Sequence, residues 1–176
     1  IKEALGEMPE MEAAKARQNR NLAKHRRGKI SEARVSTTDP EVRVMRMPDG
    51  GYRPAYNLEL AEDTKSGVIV GVALVNKGDE GQAVPMAEQL EERTGERPQD
   101  YLMDGGFASR EAITTLERRG ITVYAPVSAP RNKPEKERYK PRHGDSTEVV
   151  KWRKRMSSDE AKTIYRERAS SAEWAN

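Results

Sequence analysis

Tyr101-Leu102-Met103-Asp104-Gly105-Gly106-Phe107-Ala108-Ser109-Arg110 is the stretch on which the fold turns. Three apolar residues break off at Asp-Gly-Gly, which is turn chemistry. Ser109 then stands where a helix N-cap belongs. Behind it Ala112, Ile113 and Leu116 recur at helical spacing, and Gly120 supplies the stop. Ile121 to Val127 is again apolar and β-branched, closed by Pro126 and Pro130. The segment therefore reads as strand, helix, strand. Two strands joined through a helix run parallel, with a right-handed crossover.

Working upstream, Gln82 to Arg93 reads as a helix with Val84, Met86, Ala87 and Leu90 on its apolar side and Gly95 at its end. Val68-Ile69-Val70-Gly71-Val72-Ala73-Leu74-Val75 is almost continuously apolar, which predicts a central strand buried on both faces. Tyr52 to Ala61 predicts one strand, with Pro54 near its start, that forms a hairpin with the run from Val68. Arg43 to Met47 alternates as a short strand before the turn Pro48-Asp49-Gly50-Gly51. The expected class is α/β: a mixed sheet with an antiparallel hairpin followed by parallel strand–helix–strand units. This is the order of a ribonuclease-H-like domain whose first strand is supplied. An ordinary α/β sheet with one antiparallel edge fits the same periodicity.

Both flanks of this block are highly charged. Residues 1–35 read as a charged helical insertion or linker, with nine Lys and Arg against five Glu up to residue 34 and a thin apolar stripe of Leu5, Met8, Met11 and Ala14. Between 128 and 155 there are ten Lys and Arg against four acids, and 128–148 is expected to be a mobile basic loop. Ser157-Ser158-Asp159-Glu160 predicts the N-terminus of a last helix, with Ser157 as N-cap and Glu160 at N3. Ala161, Ile164, Tyr165, Ala169 and Ala172 line its apolar stripe.

Composition narrows the chemistry. The 176 residues include no Cys and two His, so a disulfide framework, a thiolate metal site and a His-based metal cluster are all excluded. No apolar run approaches the ~18 residues of a membrane span, and a cytoplasmic protein is expected. Charged residues make up 35% and the net charge is +3. That balance decides little; its clustering matters more. No P-loop or dinucleotide fingerprint occurs, and Ser170 and Ser171 have no nearby His base.

Two carboxylates stand out. Asp104 sits where a buried strand breaks into two glycines, which leave room for a phosphate or a metal to approach. A plain strand-to-helix turn accounts for the same residues. Glu173 follows the run Tyr165-Arg166-Glu167-Arg168 near the rim of an apolar helical stripe. A solvated helical Glu is the alternative. Oxygen ligands of this kind suit Mg²⁺ or Mn²⁺.

Several segments in order resemble the catalytic domain of bacterial insertion-sequence transposases of the DDE superfamily, the transposase DDE domain of IS4-like elements. They are Ser36-Thr37-Thr38-Asp39-Pro40-Glu41, Gly51-Tyr52-Arg53-Pro54-Ala55-Tyr56-Asn57-Leu58, Ile69-Val70-Gly71, Gln82-Ala83-Val84-Pro85-Met86, Asp104-Gly105-Gly106-Phe107 and Tyr165-Arg166-Glu167-Arg168 with Glu173. The similarity spans residues 36–176, and it implies a ribonuclease-H-like fold. It also implies metal-dependent DNA cleavage and strand transfer, using three carboxylates and two Mg²⁺ or Mn²⁺ ions. By that resemblance Asp104 is the second acid and Glu173 the third, both as metal ligands. The resemblance also implies that Tyr165 and Arg168 help hold DNA phosphate. Arg166, Lys151, Arg153, Lys154 and Arg155 are the further expected DNA contacts. The implied partners are transposon ends and target DNA, bound by a homodimer in the bacterial cytoplasm and at the nucleoid. The family's first acid, in an Asp-Gly-Thr-like run, has no match. The expectation is that its strand precedes Ile1 in a longer protein. The alternative is a remnant that binds DNA without cutting it.

Overall fold

The computed structural model describes residues 1–129, 134 and 137–175, with side chains as far as 168. Helix α1 (Lys2–Arg20) buries only Ala4, as its thin apolar stripe implies. Single 3₁₀ turns follow at Lys24–Arg26 and Ile30–Glu32. Strands β1 (Arg43–Arg46) and β2 (Tyr52–Ala55) pair antiparallel, Arg43 facing Ala55 and Arg46 facing Tyr52. Next come β3 (Asn57–Asp63), β4 (Val68–Val75), α2 (Ala83–Thr94), β5 (Asp100–Leu102), α3 (Arg110–Arg118), β6 (Thr122–Tyr124), α4 (Thr147–Met156) and α5 (Asp159–Ala175). No helix among the described residues is long and apolar enough to cross a membrane.

The chain divides into two compact units. One holds Ile1–Asn57 with Val75–Lys77. Within it α1 is tied down by Glu7, whose carboxylate accepts from Arg43 at 2.7 Å. The other unit holds Leu58–Leu74 with Gly78–Asn176 and carries the core. There β5 and β6 run parallel, with Tyr101 opposite Val123, and the backbone N–H of Met103 donates to Tyr124 O. Ser109 caps α3 by accepting from the Ala112 N–H at 3.0 Å, as its position predicts. Ile113, Leu116, Ile121, Val123 and Val149 are the largest fully buried side chains. Gly95 ends α2 at φ 73°, a conformation glycine adopts without a steric penalty.

The mixed α/β class, with both antiparallel and parallel pairing, is what the sequence predicts. Several details differ. The expected single strand from Tyr52 to Ala61 is two: β2 pairs with β1, and β3 pairs with β4. The break falls at Tyr56, whose hydroxyl donates to the Asp39 carboxylate at 3.0 Å and so serves as a tether. The expected single sheet is three two-stranded sheets among the described residues.

β4 is not buried on both faces. On one side Gly71 meets α2 so closely that an added Cβ would lie 2.6 Å from Met86 Sδ. Helix α2 also closes the strand's backbone edge, Gln89 pairing with the N–H and C=O of Val72 at 2.9 and 3.1 Å. On the other side Val68, Val72 and Leu74 are exposed, with Leu58 and Leu60 of β3.

The basic segment also differs from expectation. Part of 128–148, including Pro130, lies outside the described residues. The remainder is not a free loop: Asp145 and Arg142 fold it into a turn, and Ser146 caps α4 by accepting from the Val149 N–H. α4 precedes the last helix and was not expected. The N-cap of that last helix is Ser158, which accepts from the Ala161 N–H at 3.2 Å; Ser157 donates instead to the Lys154 carbonyl.

Candidate active site and nucleic-acid interface

Asp104 leaves the end of β5 on a tight turn, closed by the Phe107 N–H donating to Asp104 O and the Ala108 N–H donating to Gly105 O. Gly106 is the close approach: a Cβ there would lie 2.3 Å from Asp79 Oδ2, whereas one on Gly105 would meet Pro126 at an ordinary 3.4 Å. The turn therefore packs against the chain leaving β6 while its carboxylate faces outward, with a side-chain exposure of 54%.

Arg168 of α5 reaches this carboxylate, Nη2 donating to Asp104 Oδ2 at 3.1 Å. Tyr165, one helical turn earlier, lies beside the same pair. Burial pushes its hydroxyl pKa up and the Asp104 charge adds to that, while Arg168 opposes both. Asp104 thus meets, at one strand end, two residues of a helix that follows far later in the sequence. The side chain of Glu173 lies outside the described residues; its backbone continues α5 one to two turns beyond Arg168.

The other candidate residues separate into two kinds. Lys151, Lys154 and Arg166 are exposed. Arg166 opens with Lys162, Arg138, Tyr139 and Tyr165 onto a cavity of about 540 Å³, beside Pro126. Its named cations and tyrosines suit a phosphate and a ring. Arg153 and Arg155 point inward. Arg153, 4% exposed, donates to the buried Asp145 at 2.7 Å. Arg155 grips both oxygens of Glu117 at 2.6 and 2.8 Å and donates to Val123 O. These two guanidiniums lock α4 onto the core, a role their place in a basic run conceals.

Glu59 is a buried carboxyl that sequence reasoning passed over. Burial raises its pKa and the Asp79 charge adds to the rise. Its position on β3 opposite exposed Leu58 and Leu60 is an inverted alternation that an apolar count overlooks. Among the described residues, no group of three or more His, Cys, Asp or Glu is placed to hold a metal ion.

A family model described as "Transposase DDE domain" matches residues 17–174. No curated protein and no solved structure matches the chain. The family match covers most of the chain and includes Asp104, Tyr165, Arg168 and Glu173, so the protein belongs to the transposase DDE domain family.

Proposed function

We propose that this chain serves metal-dependent DNA cleavage and strand transfer, the transposition of an insertion sequence. The observation that carries the reading is the meeting of Asp104 with Arg168 and Tyr165, on the helix that also bears Glu173. An exposed carboxylate at a strand end, backed by glycines and faced by a guanidinium, suits a reaction at a phosphodiester. The guanidinium is a phosphate ligand, and the carboxylate is a hard oxygen donor. The strand and helix order from β3 to β6 supports a ribonuclease-H-like arrangement.

The residues fit a divalent metal in part. Asp104 offers an outward carboxylate of the right chemistry, and Glu173 on α5 would be the second ligand. Mg²⁺ or Mn²⁺ bound there would activate the attacking oxygen and stabilise the leaving one. A complete site needs a further carboxylate beside these two. The chain's own contribution is positional. Arg168 neutralises Asp104 and is placed to exchange that carboxylate for a DNA phosphate, while Tyr165 fixes its approach. Arg166, Lys151 and Lys154 hold the backbone of transposon-end and target DNA, in a homodimer acting on bacterial DNA in the cytoplasm.

Nicking of a supercoiled plasmid in Mg²⁺ tests this. Asp104→Asn is expected to reduce nicking to background while leaving DNA binding unchanged. Nicking retained by the variant would remove Asp104 from the chemistry. The pairing of Asp104 with Arg168 favours one second reading: a chain that binds DNA without cutting it. Binding by wild type without nicking in either Mg²⁺ or Mn²⁺ would select it.

A further inference from the structure

We propose that Arg110 and Arg142 form a phosphate-binding site for the DNA backbone, built on the Asp145 turn beside the first turn of α3. The proposal rests on the DNA-cleaving reading above and assigns residues outside the set read from sequence.

The Asp145 side chain is fully buried and is shared by several donors. Its carboxylate accepts from Arg153 Nε at 2.7 Å, lies 3.2 Å from Arg110 Nε, and accepts from the backbone N–H of Arg142 at 2.8 Å. The Arg142 side chain lies beside them, donating to Ser128 O at 2.7 Å, and Arg110 donates to His143 O at 3.3 Å. Two guanidiniums, those of Arg153 and Arg110, thus meet one carboxylate, and Arg142 on the same turn adds a third positive charge, an excess of two. Folding alone does not call for that excess, because the buried Arg153 already neutralises Asp145.

Two features mark the excess as unspent. Arg110 is the first residue of α3, after the Ser109 cap. A helix N-terminus favours negative charge, so a cation there opposes the local field unless an anion joins it. The Arg142 guanidinium is held below its ordinary pKa, by burial first and by the charges of Arg153 and Arg110, with Asp145 opposing. Cations that crowd one another are relieved by a bound anion, and guanidiniums suit phosphate. Arg110 remains 46% exposed in its side chain, so a ligand can reach it.

Placement agrees with this role. Arg110 follows Asp104 by six residues, a chain span of at most about 20 Å. The site would hold DNA on the α3 side of Asp104, while Arg166 and Lys154 lie on the helices that follow β6.

Fluorescence anisotropy with a labelled duplex of arbitrary sequence, titrated between about 50 and 200 mM salt, tests the site. Each lost phosphate contact lowers the slope of log affinity against log salt by about 0.9. Arg110→Gln is expected to lose that increment and to weaken binding about tenfold, while Arg110→Lys keeps the slope. An unchanged slope and affinity in Arg110→Gln, with wild type binding normally, overturns the site and leaves the DNA reading standing. A wild-type chain that does not bind the duplex overturns both. Should Arg110→Gln fail to fold, wild-type protein serves. Duplex DNA is expected to protect Arg110 from modification by phenylglyoxal, read by mass spectrometry, and equal modification with and without DNA contradicts the proposal.

Discussion

The β3–β4 hairpin and the β5–β6 pair are both built from short apolar strands, yet they end in opposite conditions. β5 and β6 bring their own cover. The crossover helix α3, then α4 and α5, close over them, and Val123 and Leu116 are fully buried. β3 and β4 are joined by a four-residue turn, so the connection supplies no helix. Among the described residues α2 covers β4, through Gly71 and Met86, and Leu74 is left 64% exposed. Burial of a strand thus depends on the connections around it as much as on its own residues. A continuous apolar run says that two faces could be buried, not that two layers exist.

The largest test of that contrast lies on the helical cover. Arg153→Ala leaves Asp145 buried with Arg110 as its remaining side-chain partner, and is expected to cost about 3 kcal/mol, measured by urea unfolding. The loss has a pH signature. Burial alone would raise the Asp145 pKa, but the Arg153 hydrogen bond, the Arg142 N–H and the charges of Arg153 and Arg110 together hold it below its ordinary value. Its stabilisation is therefore fully present above the unfolded carboxyl pKa of about 3.9 and is lost as pH falls through the lower folded value. The variant should show a shallower acid limb than wild type. The same acid limb in both would place the coupling elsewhere.

The smallest expected effect lies on the hairpin. Leu74→Ser replaces an exposed apolar side chain and should shift stability by no more than about 0.5 kcal/mol. A cost comparable to that of Arg153→Ala would show that the exposed face is covered in solution, and the contrast between the two strand pairs would dissolve.

What was legible in the sequence follows the same division. The strand at Tyr101, the Ser109 cap and the stops at Gly95 and Gly120 are local signals with local causes, and each reads directly. Asp104 and its glycines were legible for the same reason, because turn chemistry is written in adjacent residues. The break at Tyr56 was not, since its cause is a hydroxyl bond to Asp39, 17 residues earlier. Helix α4 was hidden by its own charge. Val149, Trp152 and Met156 lie on one face at helical spacing, and Ser146 precedes them, but four cations surround that stripe. Two of those cations are structural, because Asp145 and Glu117 meet them from eight and 38 residues away. A basic run therefore mixes residues that face solvent with residues that face carboxylates, and composition cannot sort them. Arg168 with Asp104 is the same lesson at the site, a contact made across 64 residues.

The central claim is that Asp104 is a metal-binding carboxylate held by Arg168 until an ion or DNA displaces it. Paramagnetic broadening by Mn²⁺ of backbone amide signals in the free chain tests it most directly. The account predicts selective broadening at Gly105, Gly106 and the first turn of α3, abolished in Asp104→Asn and strengthened in Arg168→Ala. Broadening that ignores both substitutions, or none near Gly105 in wild type, would contradict it.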